Sequence, residues 1–300
     1  MRISTSQMQQ LGVDAMLKQQ STLSRTQQQL ATGRRILSPS DDPVAAARVL
    51  DLNQTLEQAQ QYNRNAQVVE QRLRLEEAVL ENATDVIQRA YELSIQANNA
   101  TVDAEARAGI AVEIGQLLEG MLGLANTKDA NNEYLFGGLK RSTQPVTDNG
   151  AGVFTYNGDQ GQRQLQVGPS RQVADGDSGF YVFMDVPDTN GGVQDIFTTL
   201  QSFKSDLEAN TPNGETIDNL RLALDRILSV RADVGARMNA VDVEVNVNEA
   251  QALQVETTLS DVQDLDYAEA VARLNLQLAG LQAAQQSYVR IQGLSLFNYL

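Results

Sequence analysis

Apolar residues recur along two long stretches of this chain at alternating gaps of four and three. The first stripe is Tyr62, Ala66, Val69, Leu73, Glu76, Leu80, Ala83, Ile87, Ala90, Ser94 and Ala97, with only Glu76 and Ser94 polar. The second is Ile217, Leu220, Leu224, Ile227, Arg231, Val234, Met238, Val241, Val245, Asn248, Ala252, Val255, Leu259 and Val262, with only Arg231 and Asn248 polar. A stripe with a period of about 3.5 residues is the seam of a left-handed coiled coil. No Gly or Pro falls between Val44 and Ala108, so the pattern predicts a helix over 44–98, roughly 80 Å long at about 1.5 Å per residue. Ile110, Ile114, Leu117, Leu118, Met121 and Ala125 predict a further helix over 103–128, capped by Thr101 or Asp103. The two long seams should meet as an antiparallel rod.

Glycine separates them. Residues 137–192 hold 11 of the 21 glycines. Within "VFTYNGDQGQRQLQV", Asn157-Gly158 sits between two half-apolar runs and predicts a hairpin. "GFYVFMDV", 179–186, is aromatic and β-branched and predicts a strand. The chain therefore reads as mainly α: a long coiled-coil-like helical rod, 36–140 plus 194–264, with a small inserted β-rich domain, 141–193, and a terminal helical part, 1–35 plus 265–300.

The terminal stripes are weaker. Met16, Leu23, Leu30 and Leu37 recur every seven residues, with Gln20, Gln27 and Arg34 at the accompanying positions. Tyr267, Val271, Leu274, Leu278, Leu281, Gln285 and Tyr288 keep the 4–3 spacing at the other end, but the step from Val262 to Tyr267 is five. That slip predicts a joint between rod and terminal helix. A pair this thin cannot bury both faces. It is either a fraying coiled coil or a domain completed by copies of itself or by partners. On the second reading Met16, Leu23, Leu30, Tyr267, Val271, Leu274, Leu278, Leu281, Tyr288, Leu296 and Phe297 are the candidate subunit-interface residues.

"LSPSDDPVAAARVL", 37–50, puts two acids before a proline and an alanine-rich run. Pro43 suits the first helical position, where its missing N–H would be unpaired anyway. The residue before a proline is pushed out of the α region, as an N-cap must be. Asp42 and Pro43 are thus the predicted helix cap, with both acids favoured at the positive end of the helix dipole. A contact to a neighbouring chain is the alternative for these acids.

Composition excludes more than it suggests. The chain has 38 Asp and Glu against 23 Lys and Arg, which speaks against a nucleic-acid surface. It has no Cys, His or Trp, so thiolate chemistry, disulfides and the commonest general base and metal ligand are missing. "ADGDSG", 174–179, loosely matches a calcium loop, but the twelfth position counted from Asp175 is Val186 rather than Glu. Asp261, Asp264 and Asp266 read as a solvated face or hinge cap, with a salt bridge to a neighbouring subunit as the alternative. The N-terminus lacks the apolar core of a signal peptide, and no run approaches the roughly 20 apolar residues that span a bilayer. These features lead us to expect a protein with no enzymatic activity, cofactor, metal or membrane insertion.

Several motifs converge on one family. "MRIST", "LATGRRILSPSDDPVAAARV", "NEYLFGG" at 132–138, "VGARMN" at 234–239 and the tail from "DLDYAEAV" to "SLFNYL" resemble the flagellin-like axial proteins of bacterial flagella. The likeness covers nearly all of the chain outside the β insertion. "DDPVA" where flagellins carry "DDAAG", together with the Ser-Leu-Phe-Asn-Tyr-Leu ending, resembles the hook–filament junction members more than the flagellins. A short flagellin that forms the filament itself is the alternative. The resemblance implies a structural role, with the terminal helices lining the core of the axis and the β domain facing outward. It implies as partners copies of the chain itself in a ring, a hook-associated protein 1-type junction protein, flagellin and a cytoplasmic export chaperone. It also implies export through the flagellar type III apparatus without a cleaved signal peptide, to an extracellular position at the hook–filament junction.

Overall fold

The computed structural model describes residues 5–150 and 152–293. Among the described residues there are six α-helices, five on the striped segments and α4 on a segment with no predicted stripe: α1 (Thr5–Thr32), α2 (Pro43–Ala97), α3 (Ala104–Ala125), α4 (Ile196–Glu208), α5 (Glu215–Gln263) and α6 (Tyr267–Gly293). Three short antiparallel hairpins lie between α3 and α4. They pair β1 (Val146–Asp148) with β2 (Phe154–Tyr156), β3 (Gln164–Gln166) with β4 (Gln172–Ala174), and β5 (Val186–Pro187) with β6 (Val193–Gln194). The fold is mainly α, with a small strand region inserted between N- and C-terminal helical parts.

The chain divides into two compact units, Ala59–Ala250 and Met1–Gln58 with Gln251–Leu300. The boundary falls inside α2 and α5. The expected three-part division, at 1–35 plus 265–300, 36–140 plus 194–264, and 141–193, is a different partition from these two compact units. The terminal unit reaches further along both long helices, and the β segment is not a unit of its own.

In the central unit the α2 stripe is buried as its spacing predicts. Ala66, Val69, Leu73, Leu80, Ala83, Ile87, Ala90 and Ala97 have no exposed surface. Leu220, Ile227, Val234 and Val241 of α5 are equally buried, seven residues apart. The two helices run antiparallel: Glu77 meets Arg231 at 2.6 Å, and Asn98 meets the Asn213 carbonyl at 3.4 Å. They do not form a two-helix rod alone. α3 presents Ile110, Ile114, Leu118, Met121 and Ala125 to the same core, and α4 packs on α3 with Phe197, Leu200, Phe203 and Leu207. The stripe of α4 is legible in retrospect as gaps of three and four. Asn210, at φ 56°, sits in the break that keeps α4 from running into α5. Both α3 and α4 begin on an aspartate: Asp103 accepts from Ala106 N at 2.8 Å, and Asp195 from Thr198 N at 2.6 Å.

Among the described residues α3 is long and apolar enough to cross a membrane by length and composition. The expectation that no segment approaches this is corrected. The apolarity of α3 comes from its Ile, Leu, Val and Met side chains, of which Ile110, Ile114, Leu118 and Met121 enter the core beside α4 while Val112 is exposed.

The β segment departs from its predicted pairing. Asn157-Gly158 is not a hairpin turn: β2 pairs backwards with β1, and Asn157 N donates to Pro145 O at 2.7 Å. The chain reverses between β1 and β2 instead, with Gly150 and Gly152 at φ of 78° and 75°. "GFYVFMDV" is not a strand over its length. Phe180–Met184 forms one wide helical turn, closed by Asp185 N donating to Phe180 O at 2.9 Å. That turn places Phe183 edge-on to Phe136, ring centres 5.0 Å apart, and 5.9 Å from Phe197 of α4. Phe154 of β2 lies 5.3 Å from the same Phe197. These rings join the helical core, which is why the β segment belongs to this unit.

Charge ties the same segment down. In the calcium-like loop Asp175 is fully buried and is held by arginines. Arg141 Nη2 donates to it at 2.7 Å, Arg72 Nε lies at 3.3 Å, and Arg163 pairs with it as well. Arg72 in turn meets Asp129 at 2.5 Å. Burial pushes the Asp175 carboxyl up, but the hydrogen bonds and charges of Arg141 and Arg163 outweigh it and hold the group below the usual carboxylate range. Two residues on, Asp177 pairs with Arg237 of α5 and donates its backbone N–H to Glu76 of α2 at 3.0 Å.

Candidate assembly surface

The terminal unit is built on α1 and α6, which run antiparallel. Leu265 N donates to Gly33 O at 2.9 Å, Gln19 Nε2 to Gln277 O at 3.4 Å, and Gly12 faces Tyr288. Glycine lets α1 end here. Gly33 takes φ +70°, its N–H returns to Gln29 O at 2.9 Å, and a Cβ at this position would stand 2.8 Å from the Tyr267 hydroxyl. The following residues bind across to the end of α5. Arg35 N donates to Gln263 O at 2.8 Å, and its guanidinium reaches Val262 O at 3.0 Å. This is the joint that the phase slip between Val262 and Tyr267 foretells. Asp266 caps α6 from it, accepting from Ala268 N at 2.9 Å and Glu269 N at 3.2 Å. Asp264 bonds Ser260 at 2.6 Å.

The two N-terminal acids divide their work. Asp42 Oδ1 accepts from Ala45 N at 3.0 Å, and α2 starts at Pro43. Asp41 does not serve the helix. Its carboxylate accepts from Leu37 N at 3.0 Å and Ser38 N at 3.1 Å and meets Arg25 of α1 at 2.6 Å. Desolvation pushes the Asp41 carboxyl up, but the hydrogen bonds from Leu37 and Ser38 together with Arg25 outweigh it and hold the group below the usual carboxylate range. Replacing Asp42 by Ala should therefore cost about 0.5–2 kcal/mol, as a lost cap does. Thermal unfolding of the two variants side by side checks this: Asp41→Ala should loosen the α1–α2 connection, whereas Asp42→Ala should lower helix stability without disturbing Arg25.

The seam between α1 and α6 is shifted from the one the spacing suggests. On α1, Met16 and Leu30 are half-buried and Leu23 is buried, but their companions are Gln19, Thr26 and Gly33; Gln20, Gln27 and Arg34 are exposed, and Leu37 lies beyond the helix. On α6 the inward positions are Ala270, Leu274, Gln277, Leu281, Ala284 and Tyr288. Tyr267, Val271 and Leu278, placed in the same stripe from sequence, are instead exposed at 56%, 45% and 37%. The reason is closeness. Fully buried Ala270 and the glycines at 12 and 280 allow near approach of the backbones, and a Cβ at 280 would stand 3.0 Å from Gln19 Nε2. Leu296 and Phe297 lie outside the described residues. An apolar surface remains open on this unit: Leu11 and Leu17 on α1, and Val271, Leu276, Leu278 and Val289 on α6. Among the described residues no group of three or more His, Cys, Asp or Glu could hold a metal ion.

Paired N- and C-terminal helices that leave apolar residues uncovered are features of a flagellin-like helical protein. Residues 3–141 match the bacterial flagellin N-terminal helical region, and residues 217–300 match the C-terminal helical region. The chain is 30% identical to flagellar hook-associated protein 3 of Escherichia coli, over 99% of each chain. It is 29% identical to flagellin FlaB2 of Treponema pallidum, over 81% of this chain and 79% of that one. Its fold matches the crystal structure of the flagellar junction protein FlgL from Legionella pneumophila with a TM-score of 0.64 and 25% identity, covering 72% of this chain and all of that one. The chain belongs to the flagellar hook-associated protein 3 family.

Proposed function

We propose that this protein is a structural subunit of the flagellar axis at the junction between hook and filament. The observation that carries this reading is near-complete coverage of a hook-associated protein 3 at 30% identity, against partial coverage of flagellins. The uncovered apolar residues on α1 and α6 support assembly through the terminal unit. Copies of the chain would cover Leu276 and Val289 in a ring, and burying such side chains is worth about 1.5–3 kcal/mol each. The Tyr267, Val271 and Leu278 positions, open in the single chain, are proposed interface residues, and Met16, Leu23, Leu30, Leu274, Leu281 and Tyr288 shape the pair that presents them. The neighbours along the axis would be a hook-associated protein 1-type junction protein on one side and flagellin on the other. A cytoplasmic chaperone would shield the C-terminal apolar surface before export through the flagellar type III apparatus. The role is architectural rather than enzymatic.

Deleting the gene in its host should leave hooks without filaments and shed flagellin into the medium. Filaments of normal length on the deletion strain would overturn the junction reading. Restoration by the intact chain but not by Val271→Asp with Leu278→Asp would tie the role to the terminal surface.

A further inference from the structure

The chain contains four Asn-Gly steps, at Asn149, Asn157, Asn190 and Asn213. With no Cβ to shield it, a glycine nitrogen can approach the side chain of the preceding residue closely. The fold treats the four steps differently. At Asn149 the Gly150 N–H donates to Asp148 Oδ1 at 2.8 Å. At Asn190 the Gly191 N–H donates to Asp188 O at 3.3 Å, and Asn190 N is held by Asp188 Oδ1 at 2.9 Å. At Asn157 the side-chain amide donates to Thr147 Oγ1 at 3.0 Å, and Gly158 is walled in by the Tyr156 ring and the Gly137 carbonyl.

Asn213 alone combines two features: Gly158 also has no N–H acceptor among the described residues but is walled in, while Gly150 and Gly191 have open space but engaged N–H groups. Among the described residues its glycine, Gly214, donates its N–H to nothing and has open space where a Cβ would be. Asn213 is exposed, and its Oδ1 accepts from Glu215 N at 3.0 Å, so the carbonyl that would take up negative charge already faces a donor. We propose that Asn213 is a site of spontaneous deamidation in the folded protein, with water as the only co-reactant.

In the first step the Gly214 nitrogen bonds to Asn213 Cγ, and the Cγ–Nδ2 bond breaks. The nitrogen leaves as ammonia, carrying the proton that Gly214 gave up. Water then opens the cyclic imide at either carbonyl, leaving an aspartyl or an isoaspartyl residue at position 213. No oxidation or reduction occurs. The new carboxylate stands just ahead of α5, at the positive end of its dipole, where a negative charge is favoured. The isoaspartyl product also lengthens the main chain at the entry to α5.

The test is to age the folded full-length protein at mildly alkaline pH beside a sample kept in denaturant, and to map both by peptide mass spectrometry. In denaturant the four steps should convert at comparable rates. In the folded protein position 213 should convert severalfold faster than the other three. Gly214→Ala, for which the fold leaves room, should suppress that conversion with unchanged thermal stability. Position 213 remaining an amide in the folded protein while it converts in denaturant would overturn the proposal, as would any of the other three steps overtaking it.

Discussion

Phe183→Ala should destabilise the central unit by about 3–5 kcal/mol, the usual range for emptying a buried aromatic site. Phe183 is fully buried and stands between Phe136, which follows α3 in the chain, and Phe197 on α4. Removing its ring opens a cavity shared by the β segment and the helices. The loss should therefore appear in the helices themselves. Far-UV circular dichroism through a urea titration should show the midpoint of helix unfolding moved to lower denaturant. Tyr181, in the same wide turn but 42% exposed, provides the control: Tyr181→Ala should stay within about 0.5 kcal/mol. If Phe183→Ala left the helical transition in place and changed only signals from the β segment, that segment would be a separate domain after all.

The second large effect concerns Glu76, and its sign is opposite. Glu76→Gln should stabilise the protein at neutral and alkaline pH by about 1–3 kcal/mol, because it removes a carboxyl that the fold does not fully satisfy. Glu76 has no exposed surface; Oε1 accepts from Asp177 N, while Oε2 has no partner among the described residues. Burial first, and then the charge of Asp177, raise its pKa from 4.5 to about 8 against the pull of Arg237. Below pH 4.5 the group is protonated whether the chain is folded or not. Between 4.5 and about 8 the unfolded chain loses the proton and the folded chain keeps it, so stability falls as pH rises; above that range the contribution is level. Asp175 works the other way. Its folded pKa lies below 3.8, so the stability it confers is present above that value and is lost as the pH falls through the folded pKa. Thermal unfolding measured from pH 4 to 9 (about five units, ample to span the Glu76 window) should show a downward slope in the parent that flattens in Glu76→Gln. Parallel slopes in the two proteins would mean that Glu76 is ionised in the fold.

Much of the architecture can be read in the order of residues. The 4–3 stripe from Ala66 to Ala97 is buried at every apolar position, because a period close to that of the helix leaves one face available to a core. The cap at Asp42 and Pro43 was equally plain, since proline's missing N–H and aspartate's short carboxylate act within one turn. The terminal stripes misled for a physical reason. Where apolar residues are sparse, spacing alone does not select the buried face, and Ala270, Gln19 and Thr26 were chosen by how closely two backbones can approach.

The sequence by itself determined the lengths of the long helices, their starts and stops, the position of the joint near Gln263, and an acidic chain without Cys or His. Those properties depend on neighbours within a few residues or on composition. Only the tertiary structure decided that β2 pairs with β1, that "GFYVFMDV" curls into a wide turn, that Asp175 is held by three arginines, and that Tyr267, Val271 and Leu278 stay uncovered. Each of these depends on partners distant along the chain. Arg72 and Asp175, 103 positions apart, have no local signal that could bring them together. Short strands of two or three residues carry too little periodicity to choose a register; β2 is anchored instead by Phe154 packing against Phe197 of α4.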